Sequence, residues 1–408
     1  MRNTSLLYLV LSLILFSTII VTTQWYLGKR ILRWIGKFDL PDKKKRLIKG
    51  LTICILIFLN MPLVYTFIAG VPKNPVPPLI MYPIVYPYAI WGSSYVLILI
   101  ILKVKDLISF ALRKTKALAG RSSSQPAENE IYPDPSRRNF LSIAGKSIVA
   151  APVALSCYGV FVGKQNYITR EVNINIPGLP MELQRLKIVQ ISDIHCGIFM
   201  GEAEIRKWIN ILESLKPDIL LVTGDFVGTS NDSVEYCAAG LKYLRSMMPI
   251  YACLGNHDYY GNEKDLIGAI SNSGVNILRN NSDTIAFKGA DLNICGVEDM
   301  MNSDPDLAVA VKKIDETRAT ILMSHNPNYF KEAKKHGIDL TISGHTHGGQ
   351  VDINLAGLYL SPAQLITKYV KGHFIENGCN LYVNSGIGTI GFPLRLNVPP
   401  EITVFKLI

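Results

Sequence analysis

The chain has 408 residues, 49% of them hydrophobic, and a formal net charge of +10. Residues 1–167 carry 21 Lys/Arg against 6 Asp/Glu, net +15, whereas residues 168–408 carry 21 against 26, net −5. A mildly acidic C-terminal part excludes nucleic acid as the reason for the overall positive charge, and an apolar excess concentrated before residue 165 points to membrane segments.

Four apolar stretches come first, at residues 6–27, 51–69, 79–102 and 143–162. The first three are long enough to cross a hydrocarbon core of about 30 Å as helices. Pro62, Pro83 and Pro87 weaken them locally, which neighbouring helices can offset. The fourth contains Lys146 and Pro152 and is the least apolar at its start. Basic residues crowd segments 29–49 and 103–138, while the short segment 71–78 holds only Lys73. The positive-inside rule puts both basic segments in the cytoplasm and the short one outside. A fourth crossing then delivers the C-terminal part outside the cytoplasmic membrane, in a multi-pass arrangement. If the fourth stretch lies flat instead, that part stays cytoplasmic.

Ser136-Arg137-Arg138-Asn139-Phe140-Leu141 resembles a twin-arginine export signal, although it is internal and Ser142 follows the Leu. Two arginines at a membrane border are equally expected from the positive-inside rule alone. Residues 122–135, rich in Ser, Pro, Asn and acidic groups, read as a flexible linker. The domain plan is therefore a three-helix transmembrane region at 1–120, a linker with the arginine pair at 121–142, a fourth transmembrane or anchor segment at 143–163, and a folded C-terminal domain at 168–408.

In that domain short apolar runs alternate with helical periodicity. Runs at 186–192, 218–223, 250–254, 320–323 and 338–343 read as buried strands, and 203–215 and 234–247 as helices. Each run ends on a polar cluster: Asp193-x-His195, Gly224-Asp225, Gly255-Asn256-His257-Asp258, Ser324-His325, and Gly344-His345-Thr346-His347. Strand tips are where a layered α/β fold places ligands. If Asp193 and His195 extend the strand, both side chains share one side, and His345/His347 repeats the spacing. Five of the seven histidines lie in these clusters; His336 and His373 do not. Carboxylate, amide and imidazole donors suit Mn²⁺, Fe²⁺ or Zn²⁺, and seven such residues are too many for one tetrahedral ion. The seven scattered cysteines form no CxxC, which excludes a thiolate zinc site and reads as small buried side chains; Cys196 turns away from the cluster.

The ordered set of five motifs, with the GHTHGGQ ending and the later Tyr382-Val383-Asn384-Ser385-Gly386, resembles the calcineurin-like metallophosphoesterase superfamily, and within it a bacterial branch of membrane-linked or exported phosphohydrolases. The resemblance implies a four-layer α-β-β-α sandwich of two mixed sheets, here behind an N-terminal transmembrane helical region. It implies two divalent metal ions: Asp193, His195 and His347 on one, Asn256, His325 and His345 on the other, with Asp225 bridging. It implies His257 as a catalytic residue facing substrate, and a metal-activated hydroxide that hydrolyses a phosphodiester or phosphomonoester. Asp258 either orients His257 or caps a turn. One departure is Gly228, where the family often has a polar residue. His373 and Arg395 are undecided. Tethering beside the bilayer hints at a lipid-linked phosphate ester. The alternatives are a lipid-linked nucleotide pyrophosphatase of the UDP-acylglucosamine type, and a membrane sensor or scaffold with a degenerate metal site.

Overall fold

The structure, a computed structural model, describes residues 2–119, 135–355 and 358–408. The chain divides into two units: Met1–Ala69 with Tyr82–Cys157, and Gly70–Met81 with Tyr158–Ile408.

The first unit is helical. α1 spans Arg2–Ile35 and α2 Asp42–Ala69; the one-turn α3, Pro78–Ile80, which belongs to the second unit, and a π-turn at Met81–Val85 lead into α4, Tyr86–Ala119, and α5 spans Pro135–Phe161. Among the described residues two helices, α2 and Ser147–Gln165, are long and apolar enough to cross a membrane, and no residue of α2 is buried. Leu27, Ile98 and Leu102 form this unit's small core, flanked by Trp91 and Val149. Gln24 and Asn60 exchange amide hydrogen bonds at 2.7 and 3.0 Å, and Arg30 pairs with Asp106. Most of the expected linker, up to residue 134, lies outside the described residues. The arginine pair does not belong to it: α5 begins at Pro135, so Arg137 and Arg138 are helical. Proline's fixed φ suits a first helical position, which explains the early start.

The second unit is built on β1 (Ile168–Ile174), β2 (Ile188–Ile191), α6 (Glu202–Leu215), β3 (Ile219–Thr223), α7 (Val234–Arg245), β4 (Ile250–Cys253), α8 (Glu263–Asn272) and β5 (Asn276–Ile277). Then follow β6 (Asn281–Phe287), β7 (Ala290–Gly296), α9 (Leu307–Val311), β8 (Thr320–Met323), α10 (Phe330–Ala333) and β9 (Leu340–Ser343). β10 (Ile353–Leu355) and β11 (Leu358–Leu360) form a hairpin, and β12 (Gly372–Glu376), β13 (Cys379–Val383) and β14 (Glu401–Leu407) complete the unit.

Two six-stranded sheets result, ordered β1-β14-β2-β3-β4-β5 and β12-β13-β9-β8-β7-β6. β2 to β5 run parallel, as do β7, β8, β9 and β13; β14 is antiparallel to β2, and β6 and β12 are antiparallel to their neighbours. Ile188, Leu221 and Tyr251 from the first sheet meet Ile294, Ile321 and Ile342 from the second in a shared core. On the outer face of the first sheet Trp208, Leu212, Leu241 and Ile270 cover Val189 and Leu220; on that of the second, Phe330 and Leu307 cover Leu322 and Leu381. Helices, sheet, sheet and helices make the expected four-layer α-β-β-α sandwich. Continuous apolar runs such as Ile219–Thr223, buried at every position, are what a strand covered on both faces requires.

Gln190 of β2, fully buried, donates to Thr223 Oγ1 at 2.9 Å and to the Ser343 carbonyl at 3.0 Å, tying the two sheets together just below the tips of β3 and β9. The polar clusters sit directly above that tie.

Candidate metal centre

Asp193 and His195 follow β2, Asp225 follows β3, the turn Asn256–Tyr259 follows β4, His325 follows β8, and His345 and His347 follow β9. All of these strands point the same way within their sheets, so the five tips gather at one end. Every one of the sequence-expected residues is brought into a single cluster.

The backbone there is not extended. Asp193 (φ 53°), His195 (φ 50°), Asp225 (φ 55°), His345 (φ 71°) and His347 (φ 50°) all occupy the left-handed region. The expectation that Asp193 and His195 share a side through strand alternation is therefore corrected: two left-handed residues turn the chain after β2, and the side chains converge through that turn. Such conformations cost about 1–3 kcal/mol each for a residue with a Cβ and persist where the surroundings enforce them. Here the enforcement is hydrogen bonding between tips. Asp193 N–H donates to the Gly224 carbonyl and His195 N–H to the Asp225 carbonyl, both at 3.0 Å. The tip of β9 closes on that of β2: His345 N–H donates to both Asp193 carboxylate oxygens at 3.0 and 3.1 Å. This approach needs Gly344, where a Cβ would lie 1.9 Å from Ser192 Oγ and 2.2 Å from Asp193 Oδ2.

The donor atoms form two overlapping groups. His195 Nε2 and His347 Nε2 face each other at 2.9 Å with parallel rings, and His347 Nε2 lies 3.3 Å from Asp193 Oδ1. His345 Nδ1 lies 2.8 Å from Asn256 Oδ1, and the His325 and His345 rings meet edge to face. Asp225 stands between the groups: its Oδ2 is 3.5 Å from His195 Nε2 and 3.2 Å from His325 Nε2. Three sets, Asp193/His195/His347, His195/Asp225/His257 and Asp193/Asp225/His325, each keep their donor atoms within 4.8 Å.

Each donor is aimed by a second contact. His325 Nδ1 donates to the Thr223 carbonyl at 2.7 Å, which leaves Nε2 toward Asp225, buried and without an aligned hydrogen-bond partner. His195 Nδ1 lies 3.3 Å from the Val227 carbonyl. Asn256 Nδ2 donates to Tyr260 Oη at 3.1 Å, turning its amide oxygen to His345. A buried imidazole nitrogen without a partner is the arrangement that a cation resolves. The donor set fits divalent ions of intermediate softness.

Electrostatics agree. Burial lowers His195 and His345 to about 4, so both are neutral near pH 7. Burial also pulls His325 down, but the charge and contact of Asp225 outweigh it and raise this imidazole to about 10. Burial, with the Asp225 charge adding, raises Asp193 to about 6. Asp225 is the exception: burial pushes it up, and the surrounding imidazoles, His325 foremost, hold it far below the usual carboxylate range.

Asp258 settles on one of its two readings. Its carboxylate accepts the backbone N–H groups of Gly255, Asp225 and Phe226 at 2.8, 2.9 and 2.8 Å and does not hold the His257 ring. It caps the turn and fixes the neighbouring tip. His257 Nδ1 contacts the Gly228 carbonyl instead, so the position where the sequence departs from the family pattern supplies a main-chain partner. His257 N–H donates to Asp225 Oδ1 at 2.8 Å, and its ring packs on Tyr260.

Arg395 belongs beside the site. Wholly buried, it donates to the carbonyls of Ser385, Gly386 and Gly388, and its Nη2 lies 3.5 Å from His347 Nδ1. His373 is bonded to Asn380 at 2.9 Å, and His336 pairs with Glu332. Cys196, Cys237, Cys253 and Cys295 are buried as expected, whereas Cys54 is exposed and Cys157 and Cys379 are only half-buried, and Cys196 joins the core beneath α6 and α7.

The profile of the calcineurin-like phosphoesterase family matches residues 186–349, which hold all nine candidate residues. An uncharacterized metallophosphoesterase of Aquifex aeolicus is 32% identical over 231 residues, covering 54% of this chain and 85% of that protein. The uncharacterized metallophosphoesterase YkuE of Bacillus subtilis is 29% identical over 280 residues, 67% of this chain and 97% of that protein. A protein of Bos taurus named transmembrane protein with metallophosphoesterase domain is 29% identical over 273 residues, 62% of this chain and 60% of that protein.

Proposed function

We infer the reaction from one premise, that this chain belongs to the calcineurin-like phosphoesterase family and is a hydrolase of its metallophosphoesterase kind. The reading is of a membrane-anchored phosphoesterase with two divalent cations, Mn²⁺, Fe²⁺ or Zn²⁺, acting on a phosphodiester or phosphomonoester. The observation that carries it is the place of Asp225, with one oxygen between His195 Nε2 and His325 Nε2 at 3.5 and 3.2 Å. Asp193, His195 and His347 would hold one ion, Asn256, His325 and His345 the other, and Asp225 would serve both. Bound there, such ions supply Lewis acidity toward a phosphoryl group and acidify a water to near neutrality.

The chain's own residues do the rest. Asp225 stays ionised and brings negative charge to the shared position. His257, fixed through its backbone N–H and through Nδ1, offers Nε2 for a hydrogen bond to a phosphoryl or departing oxygen. Arg395 sits behind His347 and holds the loop 385–388 against it. Asp258 keeps the tips of β3 and β4 in register.

Connectivity supports a membrane placement. Residues 70–81, between α2 and α4, belong to the catalytic unit: the Lys73 carbonyl accepts the Ser233 hydroxyl at 2.9 Å. If α4 crosses back, as the apolar stretch 79–102 leads one to expect, then the Ser147–Gln165 helix has to cross the membrane as α2 does for residues 70–81 and 158–408 to share one side. This disfavours a fourth stretch lying flat. The basic segments 29–49 and 103–138 fall on the opposite side, so the positive-inside rule puts the catalytic unit outside the cytoplasmic membrane.

The test is hydrolysis of a panel of phosphomonoesters, phosphodiesters and pyrophosphates by the purified full chain supplied with Mn²⁺, Fe²⁺ or Zn²⁺. His257→Ala is expected to lower turnover by about 100-fold or more with bound metal unchanged. Loss of the metals in that variant would make His257 a ligand, and inactivity of every metal form would contradict the reading.

A further inference from the structure

The end of the catalytic unit that carries the metal centre also carries its links to the membrane segments. Pro75 lies over Gly201, where an added Cβ would come within 3.1 Å of the proline ring, and Ser233 holds the Lys73 carbonyl. Gly201 and Ser233 lie in the loops after β2 and β3, the same tips that carry His195 and Asp225. Residues 70–81 start directly after α2, a helix with the composition of a membrane span, so they lie at a membrane surface if α2 crosses.

The second link is the end of the other candidate span. The Gly159 carbonyl accepts the Arg395 N–H at 3.2 Å, and Gly163 is so close that a Cβ would sit 1.9 Å from the Arg395 carbonyl oxygen. Arg395 is the residue that touches His347.

The rim at that end is apolar and bare. Leu365 is 92% exposed, Ile366 75% and Met301 61%. Leu365 closes the turn Pro362–Leu365, and the preceding Ser361 donates to the Gly348 carbonyl at 3.2 Å, next to His347. Beside Met301, Asn302 donates to the Asn256 carbonyl at 3.1 Å. These loops are therefore built onto the candidate ligands, and the apolar side chains they expose are free to meet an apolar surface.

We propose that the metal centre opens onto the lipid leaflet and takes a membrane-resident amphiphile, a phosphate ester whose hydrocarbon stays in the leaflet beside Leu365, Ile366 and Met301 while its phosphate reaches Asp225 and His257. This rests on the phosphoesterase reading and names its substrate class. Hydrolysis adds water across one P–O ester bond, the hydroxyl going to phosphorus and the proton to the departing oxygen, and parts a leaflet-bound product from a water-soluble one.

The test uses the full chain in lipid nanodiscs, with Cys54, Cys157 and Cys379 replaced by Ser so that one label can be placed. An environment-sensitive fluorophore on Leu365→Cys is expected to be quenched by lipids bearing a nitroxide on the acyl chain. The same label on Met181→Cys, 73% exposed at the opposite end of the sandwich, is expected to stay bright. With metal supplied, hexadecyl p-nitrophenyl phosphate is expected to exceed methyl p-nitrophenyl phosphate in kcat/KM by at least about tenfold, and L365D/I366D to lower kcat/KM for the hexadecyl ester at least about fivefold more than for the methyl ester. An unquenched label at 365, or equal use of the two esters, overturns the proposal. If neither ester is cleaved with any of the three metals, the phosphoesterase reading falls and the substrate class with it, whereas quenching reports on leaflet contact independently.

Discussion

Asp258 and Asp225 stand back to back: the Asp258 carboxylate accepts the Asp225 backbone N–H at 2.9 Å while the Asp225 side chain faces the opposite way, toward His195 and His325. One buried carboxylate thus sets the backbone that aims another. Asp258 Oδ2 also takes the Gly255 N–H, and Oδ1 those of Phe226 and, at 3.4 Å, Val227.

Asp258→Asn keeps the shape and puts an NH₂ group against two of those N–H groups. The expected loss of stability is about 3 kcal/mol, read from denaturant unfolding at pH 8, above the value of about 7 to which burial and the Asp225 charge raise Asp258. The pH profile of turnover is expected to keep its midpoint, since the carboxylate does not hold His257. A shifted midpoint would restore the role of orienting His257.

Gly344→Ala tests the closure of β9 on β2. The added methyl has no room beside Ser192 and Asp193, so the tips part and the Asp193 carboxylate loses the His345 N–H. Metal affinity is expected to fall by about 10–100-fold with far-ultraviolet circular dichroism unchanged. Unchanged affinity would mean that the hydrogen bond between the tips does not position the ligands.

Metal binding is expected to release protons. In the metal-free protein His325 is held at about 10, so at pH 7.5 it is protonated, and coordination through Nε2 requires that proton to leave. His195 and His345, lowered to about 4, are already neutral, and Asp193, raised to about 6, is mostly ionised. Binding should therefore release about one proton per chain at pH 7.5, and affinity should rise about tenfold per pH unit between pH 7 and 9. Calorimetry in buffers of different ionisation enthalpy measures this directly. Proton uptake, or no exchange, would contradict it.

Much of the centre was legible in the sequence because each donor follows an apolar run, and a strand tip has few other reasons to carry Asp, Asn and His together. The turns were not legible. Nothing in Asp193-x-His195 announces two left-handed residues, since that conformation is imposed by hydrogen bonds from the tips of β3 and β9, remote in sequence. Arg395 stayed undecided for a similar reason. It lies in a segment without periodicity, and its partners are mostly main-chain carbonyls, which leave no mark on residue types. The outer strand β1 leaves no apolar signature because exposed positions interrupt its pattern. The role of residues 70–81 within the catalytic unit rests on contacts such as Lys73 with Ser233, 160 positions apart, beyond the reach of any local pattern.

The central claim is that these side chains hold a pair of cations around Asp225. The measurement that tests it most directly is elemental analysis of the purified full chain and of Asp225→Asn after dialysis against Mn²⁺, Fe²⁺ or Zn²⁺. Two ions per chain are predicted for the natural protein and fewer for the variant; a chain that retains none, or a variant that retains both, contradicts the account.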